Sequence, residues 1–132
     1  MSDSIESDKM MLSGNPGVLI DVINYPLPDL TYLKDMAEND DLFVYEIITH
    51  FIENGPGTLN LMRQCVLSGD NEQLRFVAHK LLPQLTFVGI LAAIPLVSKI
   101  ESESNKRQDL SEIIEKAILI INCGIEDLKK MI

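Results

Sequence analysis

Apolar residues recur at helical spacing along most of the chain from residue 40 onward. Intervals of three and four residues place side chains on one face of an α-helix, whereas a half-buried strand alternates apolar and polar residues. No segment alternates in that way over a convincing length. The pattern therefore predicts an all-α protein. Its clearest stripe is Leu74, Val77, Ala78, Leu81, Leu85 and Val88.

Aspartate, glycine and proline mark where the first helices should begin and end. Asp29 is a candidate N-cap for a short helix, and Asp40 and Asp41 offer a cap for the first long one. We expect Asn54-Gly55-Pro56-Gly57 to end that helix and begin the next, because proline is tolerated near a helix start, where its missing N–H is not needed. The short helix should carry Leu30, Leu33 and Met36.

Further breaks divide the second half of the chain. The Gly69-Asp70 pair should end one helix and cap the next, which we expect to end at Gly89. Pro95 should bend the following helix or fall in its first turn. Residues 101–108 are expected to form a polar connector, and residues 109–131 the last helix.

Short connections between amphipathic helices make consecutive helices antiparallel neighbours. The expected architecture is an antiparallel up-down four-helix bundle with an additional short N-terminal helix. Residues 27–132 would form this bundle domain. Residues 1–26, which mix Ser, Asp, Gly and Pro with a short apolar island, would form an N-terminal tail or arm.

Length and charge narrow the class of partner. The chain has 132 residues, enough for one domain that buries a core without disulfides or metal, and its formal net charge is −9. This acidity argues against nucleic acid and anionic membranes as partners, because both are bound through clustered basic residues. The apolar stretches are too short to span a bilayer, and the acidic N-terminus has no signal-peptide core. We therefore expect a cytoplasmic monomer without membrane insertion.

Residue types that often bind metals are few and scattered. Cys65 and Cys123 have no CxxC spacing and lie in apolar periodic segments, so we expect both to be reduced core residues. His50 has Glu46 and Glu53 nearby in sequence, but one histidine with scattered carboxylates is usually part of a solvated helix face. We therefore expect no metal site, no cofactor and no metal-dependent hydrolase.

His79 is the residue that suggests chemistry. On a helical wheel it lies roughly 150° from the centre of the apolar stripe, so it should point outward. From the wheel alone, a plain solvated histidine and a functional one are about equally good interpretations. Leu82 and Pro83 add apolar groups to the same exposed arc, and such a setting is typical of a docking patch around a titratable nucleophile. Pro83 also removes the N–H that would bond the carbonyl of His79.

The segment at residues 78–89, AHKLLPQLTFVG, resembles the signature of histidine-containing phosphotransfer (HPt) domains of bacterial phosphorelays. That signature reads A-H-x-L-K-G, then five residues and a glycine. His79, Leu81 and Gly89 hold the corresponding positions, and the A-H-K-L-x-P form is similar to that of HPt domains in Bacteroidetes-type systems. The helical pattern extends the resemblance over about residues 29–131.

The resemblance implies that His79 accepts a phosphoryl group from an aspartate of a receiver domain and passes it to another receiver. The partners would be response-regulator receiver domains, including those of hybrid histidine kinases. Magnesium and the catalytic acidic groups would come from the receiver, so the chain would be a phosphocarrier and not an enzyme.

Two positions depart from the family pattern, since Leu82 and Pro83 replace its lysine and glycine. Arg75 and Lys80 are candidates to supply the missing positive charge, and Thr86 is a candidate to orient the ring or the phosphate. With Gly89, these residues complete the predicted docking and supporting set. The alternative is a non-catalytic helical-bundle adaptor that binds a signalling partner without phosphotransfer.

Overall fold

The computed structural model describes residues 27–106 and 109–132. Within them the chain contains no β-strand, which confirms the all-α prediction. The predicted tail at residues 1–26 lies outside the described residues. The helices in the described part are α1, Thr31–Met36; α2, Asp41–Ser68; α3, Asn71–Val88; α4, Ile94–Glu103, preceded by a 3₁₀ turn at Leu91–Ala93; and α5, Ser111–Met131.

The four longer helices surround one hydrophobic core. α2 contacts α3, α3 contacts α4, α4 contacts α5, and α5 in turn contacts α2. All six residues of the predicted α3 stripe are buried, and the core around them is almost entirely aliphatic. Burial of this apolar surface is the main favourable term that holds the helices together.

α2 shows that the prediction at residues 54–57 was wrong. The helix runs unbroken through this segment, although Pro56 cannot donate a hydrogen bond to the carbonyl of Ile52. Gly55 is buried, and a Cβ there would lie 3.2 Å from Cδ1 of Ile125 in α5, so this glycine permits a close approach of the two helices. The buried face of α2 continues across the proline through Ile48, Phe51, Gly55, Leu59 and Met62. Tertiary packing of this face therefore outweighs the local preference for a break.

The ends of α3 follow the prediction. The carboxylate of Asp70 accepts a hydrogen bond from the backbone N–H of Gln73 at 3.1 Å, and so caps the helix. Gly69 and Gly89, which follow α2 and α3, both have a φ of 74°, a left-handed conformation that favours glycine. These caps and the buried stripe together set the rotation of α3 about its axis.

The segment before α1 packs against the end of α3. The backbone N–H of Asp29 donates to the carbonyl of Gly89 at 3.0 Å, and a Cβ on Gly89 would overlap the carbonyl oxygen of Asp29. The side chain of Asp29 accepts from the N–H of Thr31, which holds the pKa of this carboxyl below its usual value. Leu30, and not the predicted Asp29, is the N-cap of α1; Asp29 lies one position earlier and bonds the first helical N–H, that of Thr31. Leu30 and Leu33 are buried, whereas Met36 is exposed.

Two other expectations are corrected. Residues 101–103 belong to α4 and not to a polar connector, because the inward face of α4 continues past Ile100 to the buried Ser104. Cys65 is buried as expected, but Cys123 is exposed. Cys123 lies two residues from both Ile121 and Ile125, about 200° round the helix from these buried side chains.

Pro95 falls in the first turn of α4, which is one of the two outcomes expected for it. In the part of the chain that the structure describes, no helix is long and apolar enough to cross a membrane.

Candidate functional site

His79 lies on the outer face of α3, as the wheel predicted. Its neighbours Ala78 and Leu81 are buried in the core, which fixes the outward direction of position 79. The side chain of His79 is 71% exposed. It is therefore accessible to a partner molecule.

The ring of His79 is bonded to Glu101 of α4. Nδ1 of His79 lies 2.7 Å from Oε2 of Glu101, across the contact between α3 and α4. The Glu101 side chain is only 26% exposed, so this carboxylate is more shielded from water than the histidine it holds. The contact joins two residues that are 22 positions apart in the sequence.

This hydrogen bond determines the tautomer of the neutral ring. An ionised carboxylate can only accept, so Nδ1 of His79 must carry the hydrogen. In a neutral imidazole the other nitrogen, Nε2, then has an available lone pair. Nε2 lies on the side of the ring away from the Glu101 contact, in a side chain that is mostly exposed. An exposed imidazole in this form is a nucleophile with a single reactive nitrogen.

Glu101 is the residue of this candidate site that the sequence does not predict. The sequence predicts a polar connector at residues 101–108, because the apolar spacing of α4 stops at Ile100. The buried Ser104, one turn further on, continues the inward face with a small polar side chain. Its hydroxyl donates to the carbonyl of Glu101 at 3.1 Å, so the last turn of α4 is fixed where Glu101 is needed.

The predicted basic residues lie near His79 in the sequence but do not contact it. Arg75 and Lys80 are both exposed on α3. Nζ of Lys80 lies over the ring of Phe76, 5.3 Å from its centroid, in a cation–π contact. Among the described residues, neither cation forms a hydrogen bond or ion pair with His79.

The two residues that replace the family's lysine and glycine differ in exposure. Pro83 is exposed inside α3, which continues past it. Leu82 is half-buried and packs against the core, so it is less available to a partner than the wheel indicated.

The two remaining predicted residues, Thr86 and Gly89, make contacts away from His79. The hydroxyl of Thr86 donates to the carbonyl of Leu82 at 3.2 Å. Gly89 lies ten residues after His79, about 15 Å along the helix axis, and packs against Asp29. The structure therefore brings neither Thr86 nor Gly89 to the ring of His79.

A groove lined by both apolar and polar side chains lies between α2 and α3. Its volume is about 180 Å³, and Phe76, which is 59% exposed, forms part of its wall. Phe76 precedes His79 by three residues, so the two side chains are neighbours on the helix surface. The groove is also lined by Thr58, Leu61, Gln73, Val77, Lys80, Leu81 and Gln84.

The second histidine has a different partner. The side-chain nitrogen of Asn54 lies 2.9 Å from the carbonyl oxygen of His50 and 3.2 Å from its Nδ1. An amide nitrogen only donates, so Nδ1 of His50 must accept, and Nε2 of the neutral ring carries the hydrogen. The neutral forms of His50 and His79 are therefore opposite tautomers.

No group of three or more His, Cys, Asp or Glu side chains within residues 27–106 and 109–132 is arranged to hold a metal ion.

In comparisons with known proteins, no family model, curated protein or solved structure matches this chain.

Proposed function

We propose that this chain is a phosphoryl carrier of a phosphorelay. His79 takes a phosphoryl group from the aspartyl phosphate of one receiver domain and passes it to another. The observation that carries the proposal is the exposed ring of His79, with Nδ1 held by Glu101 at 2.7 Å and Nε2 left as the nucleophilic nitrogen.

The transfer forms one bond and breaks one. The lone pair on Nε2 attacks phosphorus, and the P–O bond to the receiver aspartate breaks with its electron pair remaining on the aspartate carboxylate. The imidazole ring gains positive charge, which the Glu101 carboxylate stabilises through the Nδ1–H bond. Transfer to the second receiver is the reverse of these steps, with a new aspartate carboxylate as the nucleophile.

The donor receiver supplies the groups that His79 lacks. Phosphoryl transfer depends on metal ions and positive charge around the phosphoryl oxygens, and the receiver's magnesium serves this purpose. The carrier then contributes an accessible nucleophile and a docking surface. Leu82, Pro83 and the exposed Phe76 give this surface its apolar character.

The fold that belongs to this proposal is an HPt-like, up-down four-helix bundle within residues 27–132. The circular order of contacts among α2, α3, α4 and α5 supports it, as do the short turns at Gly69 and Gly89. We place the carrier in the cytoplasm, as a monomer that meets its receivers transiently.

Phosphotransfer from labelled receivers tests the proposal. Receiver domains are phosphorylated with a radiolabelled acyl phosphate and mixed with the purified chain, its His79→Gln variant and its His50→Gln variant. We expect wild type and His50→Gln to gain an acid-labile, alkali-stable label, and His79→Gln to gain none. Both variants should keep the wild-type circular dichroism and melting curve, because both histidines are exposed.

The same experiment distinguishes the adaptor alternative. Stable binding of a phosphorylated receiver without transfer of label to wild type would favour an adaptor. Label that persists in His79→Gln would contradict His79 as the acceptor.

A further inference from the structure

We propose that residues 18–23 of this chain bind in a cavity at the end of the bundle where α1, the start of α2 and the end of α5 meet. The cavity has a volume of about 300 Å³. Its lining residues belong to these three helices or adjoin them, whereas His79 lies on α3. The inference therefore concerns a second surface of the molecule and does not depend on phosphoryl transfer.

Exposed apolar side chains cluster around this cavity. Most of the large apolar side chains that the described part of the chain exposes lie on α1, in the first turns of α2 or at the end of α5. Leu42 precedes Tyr45 by three residues, so their side chains are neighbours on α2. Tyr45, Met131 and Ile132 line the cavity. We call Leu42, Tyr45, Met131 and Ile132 the end patch; their side chains are between 44% and 65% exposed.

A group of this kind has a meaning that single residues lack. Isolated exposed apolar side chains are common on protein surfaces, whereas several of them around a cavity mark a binding surface. The cavity also reaches the core, since the buried Leu30 and Ile48 are among its lining residues. An apolar segment that fills it would extend the hydrophobic core outward.

The amino-terminal part of the chain joins the described residues at this end of the bundle. Leu27 is 68% exposed and lies three residues before Leu30, which lines the cavity. Five of the six residues at 18–23 are aliphatic, and residues 24–26 connect them to Leu27. At about 3.5 Å per residue, Ile23 is never more than about 25 Å from Leu30. Residues 18–23 therefore have both the composition and the reach to occupy the cavity.

Attachment to the same chain favours this segment over a second molecule. Short linkers give a tethered group an effective concentration in the millimolar range. A second copy of the chain at micromolar concentration would need an affinity on the order of a thousandfold higher to occupy the end patch equally well.

The charges at the cavity suit an occupant that is mainly apolar. Lys34 and Asp41 both line it, so their charges offset each other. Asp21 is the single charged residue within 18–23. A carboxylate that is moved next to apolar surface needs a partner, and Lys34 offers one. A strongly acidic or strongly basic partner would find no matching charge here.

Nuclear Overhauser spectroscopy of the full chain tests the contact. With carbon-13 in the methyl groups of Val, Leu and Ile, we expect cross-peaks between methyls of residues 18–23 and the ring protons of Tyr45. Ile20→Asp should abolish them, because a second carboxylate makes burial of the segment costly. Leu12→Asp is a matched control, since it adds the same charge to the amino-terminal part but outside residues 18–23. It should leave the cross-peaks unchanged.

Binding of a hydrophobic dye measures how far the end patch is covered. Dyes such as ANS bind to exposed apolar surface. Release of residues 18–23 should uncover the patch, so we expect the dye to fluoresce about twofold more strongly with Ile20→Asp than with wild type or Leu12→Asp. The far-ultraviolet circular dichroism of the three proteins should agree, because both substitutions lie outside helices α1 to α5.

Each outcome decides the inference. Cross-peaks to Tyr45 that Ile20→Asp loses and Leu12→Asp keeps would support it. A monomeric wild type without these cross-peaks would overturn it, and so would equal effects of the two substitutions. Cross-peaks that vanish on dilution, while the sedimentation mass falls from a dimer to the 14.8 kDa of one chain, would assign the end patch to a second copy and overturn it too. The wild-type spectrum is decisive even if a variant does not fold.

Discussion

α2 and α3 have the same local features, but the candidate site lies on α3. Each helix begins at an aspartate N-cap, contains one histidine and one proline, and ends at a glycine with a φ of 74°. The histidines differ in their partners. Glu101, from a neighbouring helix, accepts from Nδ1 of His79, whereas Asn54, from the same helix, donates to Nδ1 of His50. The tautomer of each neutral ring is therefore set by its hydrogen-bond partner.

The prolines reinforce this contrast. Pro56 and Pro83 each leave one carbonyl without its usual helical donor, that of Ile52 in α2 and that of His79 in α3. Both helices continue, because each has a buried stripe that spans its proline. In α3 the proline lies one turn from the ring of His79, on the same face of the helix.

The largest difference that we expect is in stability, between alanine substitutions at the glycines that end the two helices. Gly69→Ala should lower the free energy of unfolding by about 1 kcal/mol, because its Cβ would meet only open space and the cost is that of the left-handed φ. Gly89→Ala should lower it by about 3 kcal/mol, because its Cβ would also overlap Asp29 and disturb the bond between the two backbones. Urea denaturation monitored by circular dichroism measures both.

Equal losses for the two variants would show that the segment around Asp29 moves aside without cost. Under conditions in which the Gly89→Ala variant is folded, it should still be phosphorylated on His79, because Gly89 lies about 15 Å along the helix from the ring. Gly89 is the last residue of the segment that resembles the HPt signature. In the structure it packs against the backbone of Asp29.

Much of α3 was predictable from the sequence because its limits are set locally. The Asp70 cap, the buried stripe and Gly89 each depend on residues close in the chain, and the structure confirms all of them. The outward direction of His79 follows from the same stripe.

The errors have tertiary causes. Asn54-Gly55-Pro56-Gly57 has the local character of a break, but α5 packs on Gly55 and keeps α2 continuous. Glu101 was missed because its role depends on the contact between α3 and α4, which no local pattern reports. The inward face of α4 continues past Ile100 to Ser104, but serine is small and polar, so the apolar pattern in the sequence stops before it.

The two helices should also differ in how much they contribute to binding of a receiver domain. Phe76 on α3 and Tyr45 on α2 are both half exposed or more, but Phe76 lies beside His79. We expect Phe76→Ala to weaken binding of a receiver about tenfold, or about 1.4 kcal/mol, as for an aromatic side chain at an interface, and Tyr45→Ala to leave it unchanged. Isothermal titration of each variant with a receiver that accepts from wild type measures the effect.

Phe76 is a better probe of docking than Leu82. Leu82 packs against the core, so a charged residue there would lower stability as well as affinity. Equal affinities of the Phe76 and Tyr45 variants would place the docking surface away from the groove between α2 and α3.

The smallest expected difference is at the N-caps, where the two helices should behave alike. The carboxylates of Asp40 and Asp70 accept from the N–H of Phe43 and of Gln73, each at 3.1 Å. Asp40→Ala and Asp70→Ala should each lower the free energy of unfolding by about 1 kcal/mol, with a difference between them below about 0.5 kcal/mol. Denaturation of the two variants measures these free energies of unfolding.

Labelling of His79 is measured in the same samples. A cap is a local bond that any helix can form, so neither change should alter the labelling rate of the folded chain. A labelling rate that fell only in Asp70→Ala would show that the start of α3 takes part in the site, and the contrast between the helices would then extend beyond the histidine and its partner.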